Sequence, residues 1–241
     1  MTELWNRPGA RWRRLPRGRA SQLVVHHRRP AHAWAVLGRG RVTALRASGA
    51  VFGASMGGYL LSCLNAALAP LVSHEDGPAL WVVPVNMRGA VRRRRALSNH
   101  LSFLPVRLRE HDGPRTATRL IRARLDDGSH WLFHLAGQVS STVDLPGPSI
   151  TMFADQLRGR SVGLFSNLGS WQLRGLDEET AWVFCPPVTR FLPLSAGVIV
   201  VSGSLGLMLQ AYPSLTMRDD EVRDWLEAWI DQLDRQIDSR A

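Results

Sequence analysis

Hydrophobic positions along the chain fall into a few regular patterns. Residues 53–71 place Tyr59, Leu60, Cys63, Leu64, Ala67, Leu68 and Leu71 at helical spacing with few polar interruptions. This predicts a buried helix with Ser55 as its N-cap and Pro70 near its stop. Residues 218–237 put Val222, Trp225, Leu226, Trp229, Ile230, Leu233 and Ile237 on one stripe, with acids and arginines outside it, which predicts an amphipathic helix. Residues 80–85 and 101–108 have the length and content of strands, as do 162–165, 181–185, 197–202 and 205–211. Ser202-Gly203-Ser204 joins the last two as a hairpin. Residues 23–27 read as a strand, 34–37 as a second short apolar segment, and 43–48 as the end of a short helix. A longer helical stretch covers 115–139, with Asp126-Asp127-Gly128 as its breaking point, and a short helix starts at Ser149. The order βαββαβ(β)ββα predicts an α/β (α+β) fold: a mixed sheet of about six strands covered by two or three long helices.

Composition supports a folded body. The chain has 241 residues, 45% apolar and 21% charged, enough for one large domain or two small ones. The net charge of +10 is unevenly spread, and every basic residue is arginine. Residues 1–50 hold 11 Arg against Glu3, and the remaining 19 Arg are matched by 19 acids. Residues 1–20 sustain no period and read as an arm or linker. Such an arm suits nucleic acid or anionic lipid. A balanced body with one basic arm is a poor nucleic-acid footprint, so nucleic acid is not the expected partner, whereas peripheral membrane contact is compatible. Cys63 and Cys185 lie in apolar surroundings without a partner motif, which predicts buried free thiols in a reducing, cytoplasmic setting. No signal peptide is expected, and no uninterrupted apolar run reaches the roughly 18 residues of a spanning helix.

Candidate binding groups gather where the predicted strands end. The short charged connection between 80–85 and 101–108 brings Asn86, Arg88 and Asn99 to one end of the sheet. Arg88 is expected to pin that loop through turn carbonyls. The strand at 162–165 runs into Ser166-Asn167-Leu168-Gly169, which exposes small polar groups where a ladder stops. Gly57-Gly58 reads as close helix packing, because there is no Gly-Lys-Ser/Thr and no G-x-G-x-x-G after a strand. His130 and His134 have the i, i+4 spacing of a zinc pair, but the intervening Glu of such a site is missing, so they read as core or surface histidines and no metal is expected.

This order of motifs resembles the C-terminal half of the chloramphenicol-acetyltransferase-like superfamily, which includes condensation domains and wax-ester synthases. The resemblance rests on the buried helix followed by Val82-Val83-Pro84-Val85-Asn86-Met87-Arg88, on Ser98-Asn99-His100-Leu101-Ser102-Phe103, and on Phe165-Ser166-Asn167-Leu168-Gly169. It spans roughly 45–238 and divides the chain into an arm with one strand, 1–45, and an acyltransferase-like subdomain, 46–241. Members have two such halves, and their His-His-x-x-x-Asp-Gly motif lies in the first. Here His26-His27 is followed by Ala31 and His32 where Asp and Gly should stand. His27 is the position that matches the family's general base. The resemblance implies an acyl or condensation-type transfer from a thioester to a hydroxyl or amine, with lipid-like substrates compatible. Acyl-CoA or a carrier-protein thioester would be substrate, with no bound cofactor. Asn86, Arg88, Asn99, Ser166, Asn167 and Gly169 become tunnel or structural polar positions. The implied partner is a separately encoded N-terminal half or a second copy of the chain. The alternatives are a non-catalytic interaction protein on the same scaffold, or an arm-driven binder of nucleic acid or anionic membrane.

Overall fold

The computed structural model describes residues 29–72, 77–87, 101–132, 134–135, 161–173, 181–189 and 192–239. Among these residues, six strands and four long helices follow in the order β1 (Ala31–Leu37), α1 (Arg39–Val51), α2 (Met56–Val72), β2 (Ala79–Asn86), β3 (Leu101–Leu108), α3 (Pro114–Asp126), β4 (Ser161–Trp171), β5 (Leu194–Val201), β6 (Ser204–Ala211) and α4 (Asp219–Asp238). The strands form one mixed sheet in the order β1-β6-β5-β4-β2-β3. β2, β4 and β5 run parallel, while the outer pairs β2–β3, β5–β6 and β1–β6 are antiparallel. The hairpin between β5 and β6 turns on Ser202 (φ 47°) and Gly203 (φ 90°), a two-residue loop with both central residues left-handed.

Strand alternation sorts the core. Trp81, Leu104, Val106, Phe165, Ala196, Val198, Leu207 and Leu209 point to one face, where they join Tyr59, Leu60, Leu64 and Leu68 of α2 and Leu226, Trp229 and Leu233 of α4. α2 is apolar on almost every side because it lies between the sheet, α3 and α4. Its buried polar groups are paired. Trp81 Nε1 donates to Asn65 Oδ1 (3.0 Å), Asn65 Nδ2 donates to the Arg109 carbonyl (2.8 Å), and Trp229 Nε1 donates to the Leu60 carbonyl (3.0 Å). Ser55 caps α2 as its position predicts, with its Oγ accepting from Gly58 N–H (3.1 Å). Arg41 of α1 grips Asp234 of α4 with two guanidinium nitrogens.

The opposite face carries a smaller cluster, Leu80, Val82 and Leu164, packed by Phe103 and Leu192. It is also crossed by residues 181–188. These were expected to supply a strand at 181–185 but make no ladder. They form an extended strap laid over the sheet. The Trp182 carbonyl sits on Gly206, and the Phe184 carbonyl and the Pro186 ring sit on Gly197, in places a Cβ would occupy. Ser195 Oγ donates to the Pro186 carbonyl (2.7 Å) and fastens the strap to β5.

Two further expectations change in detail. The first short helix is a full one, Arg39–Val51, and the segment at 34–37 begins three residues earlier as β1, the sheet edge. Residue 45 therefore falls inside α1. The helical stretch from 115 breaks at Asp127–Gly128, where Gly128 has φ 73°, and resumes at Ser129. The expected strand at 23–27 and helix from Ser149 lie outside the described residues. No described helix is long and apolar enough to cross a membrane; α1 and α2, which would qualify together, meet at 96°.

Candidate functional site

Parallel strands β2 and β4 enter the sheet side by side and then part. Their ladder joins Leu80–Val82 to Ser161–Leu164 and goes no further, although β2 continues to Asn86 and β4 to Trp171. Past that point β4 pairs only with β5. In α/β sheets the crevice beyond the carboxyl ends of strands, where neighbouring connections diverge, is where ligands bind. The end of β2 and the Ser-Asn-x-Gly stretch of β4 lie at this opening.

The polar stretch of β4 is shaped by its own side chains. Asn167 Oδ1 accepts from Gly169 N–H (2.8 Å), and Gly169 has φ 78°, so the register against β5 shifts between Asn167 and Ser170. This Asx turn bulges the strand and turns its end outward. Trp171 Nε1 donates to the Leu168 carbonyl (2.9 Å), and Ser202 N–H donates to the Trp171 carbonyl (2.9 Å). Arg46 of α1 reaches Ser170 Oγ at 3.4 Å. The bulge is therefore held from both sides.

With Oδ1 of Asn167 engaged by Gly169, its Nδ2 group is left as a donor. It lies against the first turn of α2, 3.4 Å from where a Cβ on Gly57 would be. That turn brings the positive end of a 17-residue helix to the same spot. Ser166, one residue earlier, is on the other face of the strand, is 7% exposed, and pairs with Gly197 under the strap. Ser166 and Asn167 thus serve opposite faces of β4. Asn86 is exposed at the end of β2, opposite Leu101. The structure brings Asn86, Asn167 and Gly169 to one end of the sheet. His27, Arg88 and Asn99 lie outside the described residues.

Other reactive groups sit elsewhere. His134 is 7% exposed; the Nδ1 atom of His130 is buried and has no hydrogen-bond partner. Among the described residues no group of three or more His, Cys, Asp or Glu is placed to hold a metal ion. Cys63 is a buried free thiol, as expected, and burial pushes its pKa up to about 12. Cys185 departs from the expectation: it is a free thiol standing exposed in the strap, because the strap is an outer layer and not a central strand. A groove of about 270 Å³ between Ala66, Pro70, Ala228 and Gln232 lies between α2 and α4, on the helical side of the fold.

Two features of the site were not read from the sequence, Gly57 against Asn167 and the strap over Ser166. Gly197 and Gly206 in strand interiors were the available signal for the second, since glycine in a strand marks a close backbone approach.

Comparison with protein-family models and with curated proteins returns no match. Solved structures do match. The condensation domain from Monacolin K polyketide synthase MokA superposes with a TM-score of 0.61 and 13% identity, over 87% of this chain and 47% of that one. The epimerization domain from the third module of tyrocidine synthetase B gives 0.60 and 15%, over 87% and 48%. The cyclization-docking bidomain of EpoB from Sorangium cellulosum gives 0.52 and 13%, over 90% and 44%. The chain spans about half the length of each of these structures. It therefore has the fold of one half of a condensation domain, the CoA-dependent acyltransferase-like fold.

Proposed function

We propose that this chain is the C-terminal half of an acyl- or condensation-type transferase and works with a second polypeptide segment that carries the reactive imidazole. The observation that supports this reading most is the half-length match to condensation domains, combined with a sequence that lacks His-His-x-x-x-Asp-Gly. In the reaction, an imidazole of the other half takes the proton from an acceptor hydroxyl or amine. The freed lone pair attacks the thioester carbonyl carbon, and the carbonyl oxygen becomes an oxyanion. Collapse of that intermediate expels the thiol, which recovers the proton. General-base work of this kind supplies on the order of 10²–10⁴-fold.

The contribution assigned to this chain is oxyanion stabilisation and a tunnel wall. Asn167 Nδ2 is the proposed donor, beside the positive end of α2, and its orientation is set in advance by the Gly169 N–H on Oδ1. Asn86 lines the mouth. An acyl-CoA, or the same acyl group on a carrier protein, is the proposed donor substrate.

The test is turnover of a medium-chain acyl-CoA with an alcohol or amine acceptor, measured by product chromatography. The chain alone should give none, and addition of a segment bearing His-His-x-x-x-Asp-Gly should start it. In that reconstituted reaction Asn167→Asp keeps the acceptor for Gly169 and loses the donor, so it should fold normally and lose about 10²–10³-fold in kcat. Turnover by the chain alone that disappears in His27→Ala would put the base on this polypeptide and overturn the proposal.

A further inference from the structure

The turn of helix after Gly128 is built inside out. Its histidines face inward: His134 is 7% exposed, and the ring nitrogen Nδ1 of His130 is sealed from solvent. Its large apolar side chains face outward, with Leu132 69%, Leu135 55% and Trp131 38% exposed. Residues 131, 132 and 135 share one helical face, so the exposure is one patch and not scattered positions. A rotation of about half a turn would bury the leucines and free the histidines, as an ordinary amphipathic helix does. Ser102 prevents it by donating its hydroxyl to the His130 carbonyl, which ties the turn to the start of β3.

The helix that leads into this patch carries a surplus of arginine. α3, which leads into it, carries Arg115, Arg119 and Arg122, all exposed and spaced along one stripe. Of the two acids at its end, Asp127 is held by Arg124 at 3.2 Å and by Ser129. Exposed Trp and Leu flanked by arginine, with few free carboxylates, is the composition of an interfacial membrane contact. The apolar face enters the acyl boundary, and the cations meet anionic headgroups. A large exposed apolar patch marks some interaction site, and the surrounding charge selects its occupant.

We infer that Trp131, Leu132 and Leu135, with the arginines of α3, form a docking face for an anionic lipid surface. The test is flotation of the full chain with vesicles of phosphatidylcholine alone and with about a third phosphatidylglycerol, at low salt and at about 0.5 M salt, where long-range attraction to the N-terminal arm is screened. The intact chain should bind the phosphatidylglycerol vesicles at least about ten times better than the neutral ones, and should keep part of that binding at high salt. The triple change Trp131→Ser, Leu132→Ser, Leu135→Ser should leave the melting temperature unchanged and remove the salt-resistant binding. If the triple variant does not fold, Leu132→Asp alone, at the most exposed of the three positions, should remove most of it. Three results would overturn the inference: equal vesicle binding by wild type and variant, no vesicle binding by wild type, or a dimer in solution that the variant dissociates.

Discussion

Gly58 of α2 and Thr118 of α3 touch backbone to side chain. A methyl group on Gly58 would overlap the Thr118 hydroxyl and press on its main chain. The same hydroxyl accepts from Ser55 N–H (3.0 Å), so α2 and α3 are joined at one point through contact and hydrogen bond together. Gly58→Ala should therefore be destabilising by about 1–3 kcal/mol despite the better helix propensity of alanine. Gly57→Ala is the control. Its Cβ would meet only Asn167 Nδ2, at 3.4 Å, so its stability should stay within about 1 kcal/mol of wild type. Urea melts of the two variants measure the difference.

The strap over the sheet is the second place where glycine sets the structure. Gly197→Ala and Gly206→Ala each add a methyl group beneath a strap carbonyl, on the face opposite the helices. Either change should lift residues 182–186 off the sheet at a cost of about 1–3 kcal/mol. The readout beyond stability is faster alkylation of Cys185 and freer solvent contact for Ser166. Ser195→Ala, which removes only the strap's hydroxyl bond to Pro186, should act in the same direction and more weakly, by about 1 kcal/mol.

These strap residues also mark the boundary of what the sequence discloses. Residues 181–185 have the alternation and the Trp, Val and Phe of a strand, and they are extended. What they lack is a ladder partner, and pairing is a tertiary property that local composition does not encode. By contrast β2, β3 and β6 were legible. Their apolar runs end in turn residues, and the Ser202-Gly203 hairpin brings β6 against β5. The motif order at Val82–Arg88 and Phe165–Gly169 identified the half-fold that the solved structures share. In the candidate site, Ser166-Asn167-Leu168-Gly169 was visible because an Asx turn needs those residue types in sequence. Gly57 was not, since its approach to Asn167 joins two segments 110 residues apart. The outward face of Trp131 and Leu132 was hidden for the opposite reason. Periodicity places them on a helix but does not say which side the protein buries.

Asn65 is the polar hinge of the core and offers a third test. Its carboxamide takes the Trp81 indole proton and gives its own to the Arg109 carbonyl, linking α2 to β2 and to the end of β3. Asn65→Leu is close in size but leaves the indole N–H and the carbonyl both unpaired in a buried place. The expected loss is about 2–4 kcal/mol. Asn65→Leu combined with Trp81→Phe removes the orphaned donor as well, and should recover about 1 kcal/mol relative to the sum of the two single changes. Thermal denaturation of the four proteins completes the cycle.

Cys63 makes stability depend on alkaline pH. Burial among the α2 core pushes its pKa from 9.0 up to about 12, whereas in the unfolded chain the thiol titrates near its ordinary value. Between those two values the unfolded state has lost a proton that the folded state keeps, so unfolding releases a proton and stability falls as pH rises. The loss begins near the unfolded value and can reach a slope of about 1.4 kcal/mol per pH unit before it levels off at the folded one. Below pH 8 the thiol is protonated in both states and contributes no slope. Cys63→Ala removes the titration. It costs a small amount of packing at neutral pH, about 1 kcal/mol, and should flatten the decline between pH 9 and 11. Paired urea melts of wild type and variant across that range check the sign, because other groups titrate equally in both proteins. A wild-type slope no steeper than the variant's would show that the thiolate is accommodated inside the fold. The same burial predicts that iodoacetamide labels the exposed Cys185 first and reaches Cys63 only when the chain unfolds.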